Sequence, residues 1–349
     1  MDLSLFYFSS ATGGTDGYRL LLDGARFADS NGLSAVWTPE RHFHSFGGIF
    51  PNPAVTSAAV AAITERIAVR AGSVIAPLHN PLRIAEDWAM IDNLSNGRAG
   101  VAFASGWHAQ DFIINPGAYA DRRESVTATA DKVRRLWSGE PATGIDGVGT
   151  DIEVIVHPDP IQRDIPIWLT SGGSVETFAA AGKHGYGVLT HLIGQNLTGL
   201  AEKIAVYREG LAQCESEQRN ASVVVMLHTF LGDDRDTVRE LVREPFSVYL
   251  LDSFDLIARA VQLAGGAEFS RDIDSLSPDD IASMVDFAFD RYFDSSALFG
   301  TIDDAVDMCD QLADIGVDEV ACLVDFGVDP ALVRDSFGYI ADLNKIIQS

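Results

Sequence analysis

Apolar and polar residues alternate along this chain in two registers. Short runs such as Ser73-Val74-Ile75-Ala76 and residues 99–105 are small or apolar throughout, without the period-two alternation of a half-exposed strand, so each reads as a strand buried on both faces. Between them, residues 81–95 place Ile84, Trp88 and Ile91 on one helical face, with Arg83 and Asp87 on the other. Asn80 suits the cap of this helix, Pro81 its first turn, and Asn96-Gly97 the positive φ that ends it. Strand, helix and strand with tight joints predict a βαβ unit with parallel neighbours and a right-handed crossover.

The same rhythm predicts strands at residues 3–8, 35–38, 67–76, 99–105, 166–170, 187–191, 222–230 and 319–325. Helices are predicted at 16–30, 53–64, 81–95, 121–137, 174–183, 197–212, 301–315 and 330–347. Two stretches interrupt it. Residues 139–165 carry Gly144, Gly147 and Gly149 and then Glu153-Val154-Ile155-Val156, an inserted hairpin. Residues 233–300 are helical, acidic and longer than one crossover needs, and are expected to cover one mouth. Eight strand–helix units with no linker-like tract predict one α/β domain over 1–349, a (β/α)8 TIM barrel with insertions.

Composition narrows the partners. A net charge of -25 over 349 residues opposes nucleic acid and anionic membrane surfaces. The three cysteines, Cys214, Cys309 and Cys322, are widely spaced, which suits a reduced, cytoplasmic compartment. The first residues lack the basic region of a signal peptide, and nowhere do eighteen apolar residues run uninterrupted by charge. The helix at 53–64 is apolar nearly all round, and its Ala54, Ala58, Ala61 and Ala62 allow close backbone approach, so a homodimer is expected.

Candidate chemistry gathers at one edge. His42 and His44 follow the second strand, His79 the third, His108 the fourth, His191 the sixth and His228 the seventh, so six of the eight histidines mark the carboxyl ends of the strands, where barrels keep their sites. Thr170-Ser171-Gly172-Gly173-Ser174 joins the fifth strand to its helix, and its glycines and helix end suit a phosphate. No Gly-x-Gly-x-x-Gly follows any strand, so no second nucleotide unit for a nicotinamide is present.

These positions carry a resemblance. Pro77, Pro81, Arg83, Ala85-Glu86-Asp87, Asp92, Ser95, Gly97-Arg98, Gly106 and Asp111-Phe112 resemble the central portion of the bacterial luciferase-like flavin monooxygenases. Glu40-Arg41-His42-Phe43-His44, Gly106-Trp107-His108 and Leu189-Thr190-His191-Leu192 are most similar to the luciferase-like domains of polyketide and nonribosomal peptide assembly lines. The resemblance implies flavin mononucleotide, FMN, with its phosphate at Thr170, Gly172, Gly173 and Ser174, a bulge at Val74 to Ala76 against the ring, and Ser105 and Gly106 along the cofactor. The reactive-face cysteine of the luciferases corresponds to Ala104, and the family's catalytic histidine aligns with Arg41. His42, His44, Arg41 and His108 are then the catalytic candidates, and Phe8, His79, Trp107, His191 and His228 the substrate pocket.

The implied activity is a two-component monooxygenase: reduced FMN from a transient flavin reductase reacts with dioxygen to a C4a-hydroperoxide, which oxygenates a natural-product intermediate, free or tethered to a carrier protein. Two alternatives stand beside it. His42-x-His44 with His191 and Asp325 imitates the ligands of a metal-dependent barrel hydrolase, and a deazaflavin-dependent oxidoreductase belongs to the same superfamily.

Overall fold

The computed structural model describes residues 1–8, 15–43, 48–215, 220–252 and 278–349. Its strands are β1 (Asp2–Phe6), β2 (Ala35–Thr38), β3 (Ala68–Ile75), β4 (Ala99–Ala104), β5 (Ala142–Ile145), β6 (Asp151–Val154), β7 (Ile167–Thr170), β8 (Gly187–His191), β9 (Val223–Leu231), β10 (Leu298–Gly300) and β11 (Glu319–Leu323). The helices that matter below are α1 (Thr15–Ser30), α2 (Pro53–Ala61), α3 (Pro81–Ser95), α4 (Arg122–Trp137), α5 (Val175–His184), α6 (Leu197–Ala212), α7 (Arg235–Asp252), α8 (Pro278–Ser295), α9 (Ile302–Asp314) and α10 (Pro330–Ile347).

Parallel pairing runs β1-β2-β3-β4-β7-β8-β9-β11 and closes back on β1, giving the eight-stranded barrel that the apolar runs predict. A strand buried against both the barrel interior and the outer helices has no polar face to alternate, which is why these runs are apolar throughout. β5 and β6 form a separate antiparallel pair within 139–165. One strand was not expected: β10, inside the stretch read as helical, pairs with the overhanging end of β9 from Thr229 to Leu231.

Near the amino ends of the strands the barrel is filled. Glu319 accepts from Ser4 Oγ at 2.5 Å, Trp37 Nε1 at 3.0 Å and Arg70 Nη1 at 2.7 Å. The Arg70 guanidinium lies 4.9 Å from the Trp37 ring and 4.8 Å from that of Trp168. A buried charge is tolerable only when paired this fully. With that end plugged, access is left to the carboxyl end.

The α3 caps follow the sequence: Asn80 Oδ1 accepts from Leu82 N at 2.9 Å, and Asn96 takes φ 57°. Such an N-cap contributes about 1 kcal/mol. The Asp92-to-Arg98 motif is a brace. Asp92 accepts from the amides of Ile161 and Gln162 at 2.7 and 2.8 Å, and Arg98 donates to Thr64 O at 2.7 Å. Helix α2 ends at Ala61, three residues before the expected end, and buries Thr56, Ser57 and Val60 while Val55 stays exposed. Tyr18 and Leu22 of α1 and Val55 and Ala59 of α2 line an apolar groove of about 290 Å³. Among the described residues no helix is long and apolar enough to cross a membrane.

Candidate active site

At the carboxyl end of β2 the chain places Glu40, a carboxylate with 5% exposure. Its Oε1 accepts from His42 Nε2 at 2.8 Å and from His79 Nε2 at 2.6 Å, and its Oε2 accepts from the Ile75 amide at 2.7 Å. The ends of β2 and β3 are adjacent in the barrel, so a carboxylate on one reaches a histidine just beyond the other. Burial pushes the Glu40 carboxyl up, but the hydrogen bonds from His42 and His79 outweigh it and hold it below the ordinary range. Burial likewise pulls His79 down, and the Glu40 carboxylate more than reverses this, so His79 ends above its ordinary value. An ionised carboxylate only accepts, so both rings carry a proton on Nε2 and leave Nδ1 as the exchanging atom.

Arg41 lies beside this group, with its guanidinium 4.2 Å from the Phe8 ring and 5.2 Å from that of Trp107. Burial lowers it to about 10, opposed by Tyr249, Asp111 and Asp325, so it stays a cation at neutral pH. Trp107 stacks edge-on with His108 at 4.6 Å, and the Phe8 amide donates to Asp325 Oδ1 at 2.8 Å. His44, a catalytic candidate, lies outside the described residues.

The bulge falls earlier than expected. The register of β3 against β4 shifts between Gly72 and Val74, with the Gly72–Ser73 peptide cis, so Ser73 is the extra residue, while Val74 and Ile75 resume pairing and Ala76 starts a short 3-10 turn. Ser73 Oγ and Thr170 Oγ1 are 2.5 Å apart, tying the bulge to the end of β7. Ser105 follows β4, and Gly106 has φ 71° with Ile75 and Phe112 2.9 and 3.0 Å from where its Cβ would lie, so a side chain there would collide with the core. That requirement is structural whatever else the residue touches.

In the glycine loop, Ser171 Oγ accepts from the amides of Gly173 and Ser174 at 3.1 and 3.0 Å, and Ser174 Oγ caps α5 by accepting from Thr177 N at 3.3 Å. Gly173 takes φ 115°, and a Cβ there would lie 3.6 Å from Lys203 Nζ. The residues of the loop itself include no lysine or arginine, and the nearby cation comes from α6, which packs on α5 and carries Lys203 in. On the loop's other side His191 Nε2 is 3.6 Å from the Cβ position of Gly172, and burial lowers this histidine to about 4.

His228, expected in the pocket wall, is instead packed away at 1% exposure. Tyr249 of α7 and Phe246 stand over it at 4.4 and 4.8 Å, Phe326 at 5.5 Å, and Tyr292 Oη of α8 is 2.9 Å from Nδ1. Burial and His191 push its pKa well down. The long stretch after β9 thus lays aromatic rings over the carboxyl ends of β9 and β11. Of the ligands the hydrolase reading names, His44 lies outside the described residues, and among the described residues no three His, Cys, Asp or Glu side chains converge as metal ligands. Sequence reasoning missed Glu40, Lys203 and the tyrosines over His228. An acid at the end of a buried strand, two residues before a histidine, was the available signal for Glu40.

Comparison with known proteins adds family context. Residues 1–319 match the family model described as luciferase-like monooxygenase. The chain is 24% identical over 232 residues to the oxygenase component of the flavin-dependent trigonelline monooxygenase of Acinetobacter baylyi, covering 65% of this chain and 63% of that one. It is 30% identical over 182 residues to limonene 1,2-monooxygenase of Rhodococcus erythropolis, covering 51% and 45%. The chain thus matches less than two thirds of the length of either relative. Among solved structures, the oxygenating constituent of 3,6-diketocamphane monooxygenase of Pseudomonas putida, in complex with FMN, superposes with TM-score 0.75 at 19% identity over 98% of this chain and 96% of that one. An F420-dependent secondary alcohol dehydrogenase superposes with TM-score 0.71 at 16% identity over 98% of both, so the barrel itself does not choose the cofactor.

Proposed function

Because the chain belongs to the luciferase-like monooxygenase family, we propose that it is the oxygenase component of a two-component system, taking reduced FMN from a separate reductase and oxygenating a natural-product intermediate, free or tethered to a carrier protein. The observation that carries this reading is the carboxylate shared by His42 and His79, beside the bulge at Ser73 and the glycine loop at Gly172 to Ser174. The loop fits a phosphate on its own terms: side chains are absent at Gly172 and Gly173, and Lys203 stands at its edge. Bound there, reduced flavin supplies the electrons that activate dioxygen, so that one oxygen atom passes to the substrate and the other leaves as water.

The residues of the chain do the rest. Glu40 fixes the rings of His42 and His79 with Nε2 protonated, so His42 Nδ1 takes or returns a proton as the oxygen is transferred. Arg41 presents a fixed positive charge between Phe8 and Trp107 where negative charge develops on oxygen. Phe246, Tyr249 and Tyr292 of the covering helices would keep water away from the place where oxygen is transferred. In the same reading the apolar groove of α1 and α2 meets a second copy of the chain, and sedimentation at micromolar concentration is expected to show a dimer.

Anaerobic titration with reduced FMN followed by oxygen tests the central claim. One saturable site per chain is expected, with reoxidation slower than for free reduced flavin. Reoxidation at the same rate with and without protein would overturn it.

A further inference from the structure

Resting on the flavin reading, we infer that Lys203 supplies the counter-charge for a dianionic phosphate monoester in the Gly172–Ser174 loop, and so selects FMN over flavins whose phosphate is missing or joined to a second phosphate. The ammonium is held in place by a built arrangement. Lys203 Nζ donates to Gln195 Oε1 at 2.7 Å, and Gln195, only 8% exposed, gives its amide hydrogens to His191 O at 2.5 Å and Thr190 Oγ1 at 3.2 Å. Those two bonds turn the Gln195 oxygen toward the lysine. From there Nζ reaches the space over Gly173, 3.6 Å from where a Cβ would stand.

The loop's own donors do not supply the charge. The amides of Gly173 and Ser174 already meet the neutral Ser171 hydroxyl, and Ser174 Oγ donates to the Glu176 carboxylate at 2.7 Å, which puts a negative group on the outer rim. Against Glu176 and a chain of net charge -25, a dianion needs a local cation. His191 adds a second polar group: its ring stands beside Gly172, and its buried Nδ1 has no hydrogen-bond partner. A terminal monoester carries one more negative charge and one more free oxygen than the ribityl phosphate of FAD, which an anhydride ties to a second phosphate, so an ammonium placed at this loop discriminates between them. Riboflavin offers neither.

The test measures dissociation constants of oxidised FMN, riboflavin and FAD by flavin fluorescence, with inorganic phosphate as competitor. The parent is expected to hold FMN about tenfold tighter than either of the others, the worth of one charge-assisted hydrogen bond. Phosphate is expected to displace FMN and leave riboflavin in place. Lys203→Met is expected to remove that preference with riboflavin binding unchanged, and Lys203→Arg to restore most of it. A parent that binds all three flavins alike, or a Lys203→Met protein that keeps the FMN preference or weakens FMN and riboflavin equally, would overturn the role of Lys203 and leave the flavin site standing. A parent that binds neither oxidised nor reduced flavin would sink both.

Discussion

His42 and His79 at the ends of β2 and β3 share one buried carboxylate, whereas His191 and His228 at the ends of β8 and β9 have no carboxylate and keep one buried ring nitrogen each without a partner. The four residues are of one type and stand on one rim. Their surroundings divide them. Next to Glu40 the charged form of the imidazole is stabilised, and His79 rises. On the far side burial removes the water that would hold a proton, and His191 falls to about 4. The histidine-rich rim is therefore divided electrostatically: Glu40 favours the protonated ring of His79, while burial favours the neutral rings of His191 and of the packed-away His228. The neutral half costs stability, since a buried unpaired polar atom is unfavourable by about 1–3 kcal/mol.

The largest break in this comparison is Glu40→Gln. The amide keeps the size, but it is neutral, and its nitrogen cannot accept. With one oxygen left it cannot serve the two rings and the Ile75 amide together, and it no longer stabilises a protonated imidazole, so turnover in a reductase-coupled assay is expected to fall by roughly 100-fold or more, the scale of general acid–base contributions. Flavin binding at the glycine loop is expected to hold. Parent-like turnover would show that the pair is structural and that the two halves of the rim do not differ in function.

How much of this was legible beforehand depends on range. The barrel was, because doubly buried strands have no polar side to hide their identity, and α6 and α10 end where the apolar pattern stops. The family phrases from Asp92 to Arg98 were specific for the fold yet say little of chemistry: they hold the α3–β4 turn against residues 161 and 162. β10 was hidden because three residues between helices are too few to show a period. Glu40 and Lys203 were missed for a different reason. Each acquires its meaning from a neighbour a whole strand–helix unit away in the chain, His79 in one case and Gly173 in the other, and single-chain patterns carry no such distance. The bulge was displaced to Ser73 because an apolar run gives no sign of where its register slips.

A smaller effect separates the two halves by titration. By NMR, His79 is expected to stay protonated above pH 6.5, and His191 to stay neutral down to about pH 4. The stability consequences have opposite signs. The gain from the His79–Glu40 pair is full below pH 6.5, its unfolded value, and is lost as pH rises through the higher folded value. For His191 the unfolded chain binds a proton that the fold refuses, so stability falls as pH drops from 6.5 to about 4. His191→Asn, compared with the parent by chemical denaturation across that window, is expected to remove the His191 share of the acid slope, leaving that of His228 and the alkaline side unchanged. Two imidazoles titrating together near 6.5 would erase the distinction drawn here.

The smallest expected effect sharpens the neutral half. Tyr292 Oη is the hydrogen-bond partner of His228 Nδ1, and Nε2 has none, so Tyr292→Phe leaves both ring nitrogens of a 1%-exposed residue unmet. Leaving one more buried polar atom unpaired costs about 1–3 kcal/mol, near the low end here because the ring contacts are kept. His228→Phe alone removes the ring partner of the Tyr292 hydroxyl and leaves it the His228 backbone, at a similar or smaller cost. In the double variant both partners become apolar rings of about the same shape, packed against Phe246, Tyr249 and Phe326, and such a replacement is often close to neutral. The double-mutant cycle is thus expected to show a favourable coupling of about 1 kcal/mol between the two substitutions. Strict additivity would mean that Tyr292 and His228 do not hold each other, and that this histidine takes its neutrality from burial without help from its tyrosine.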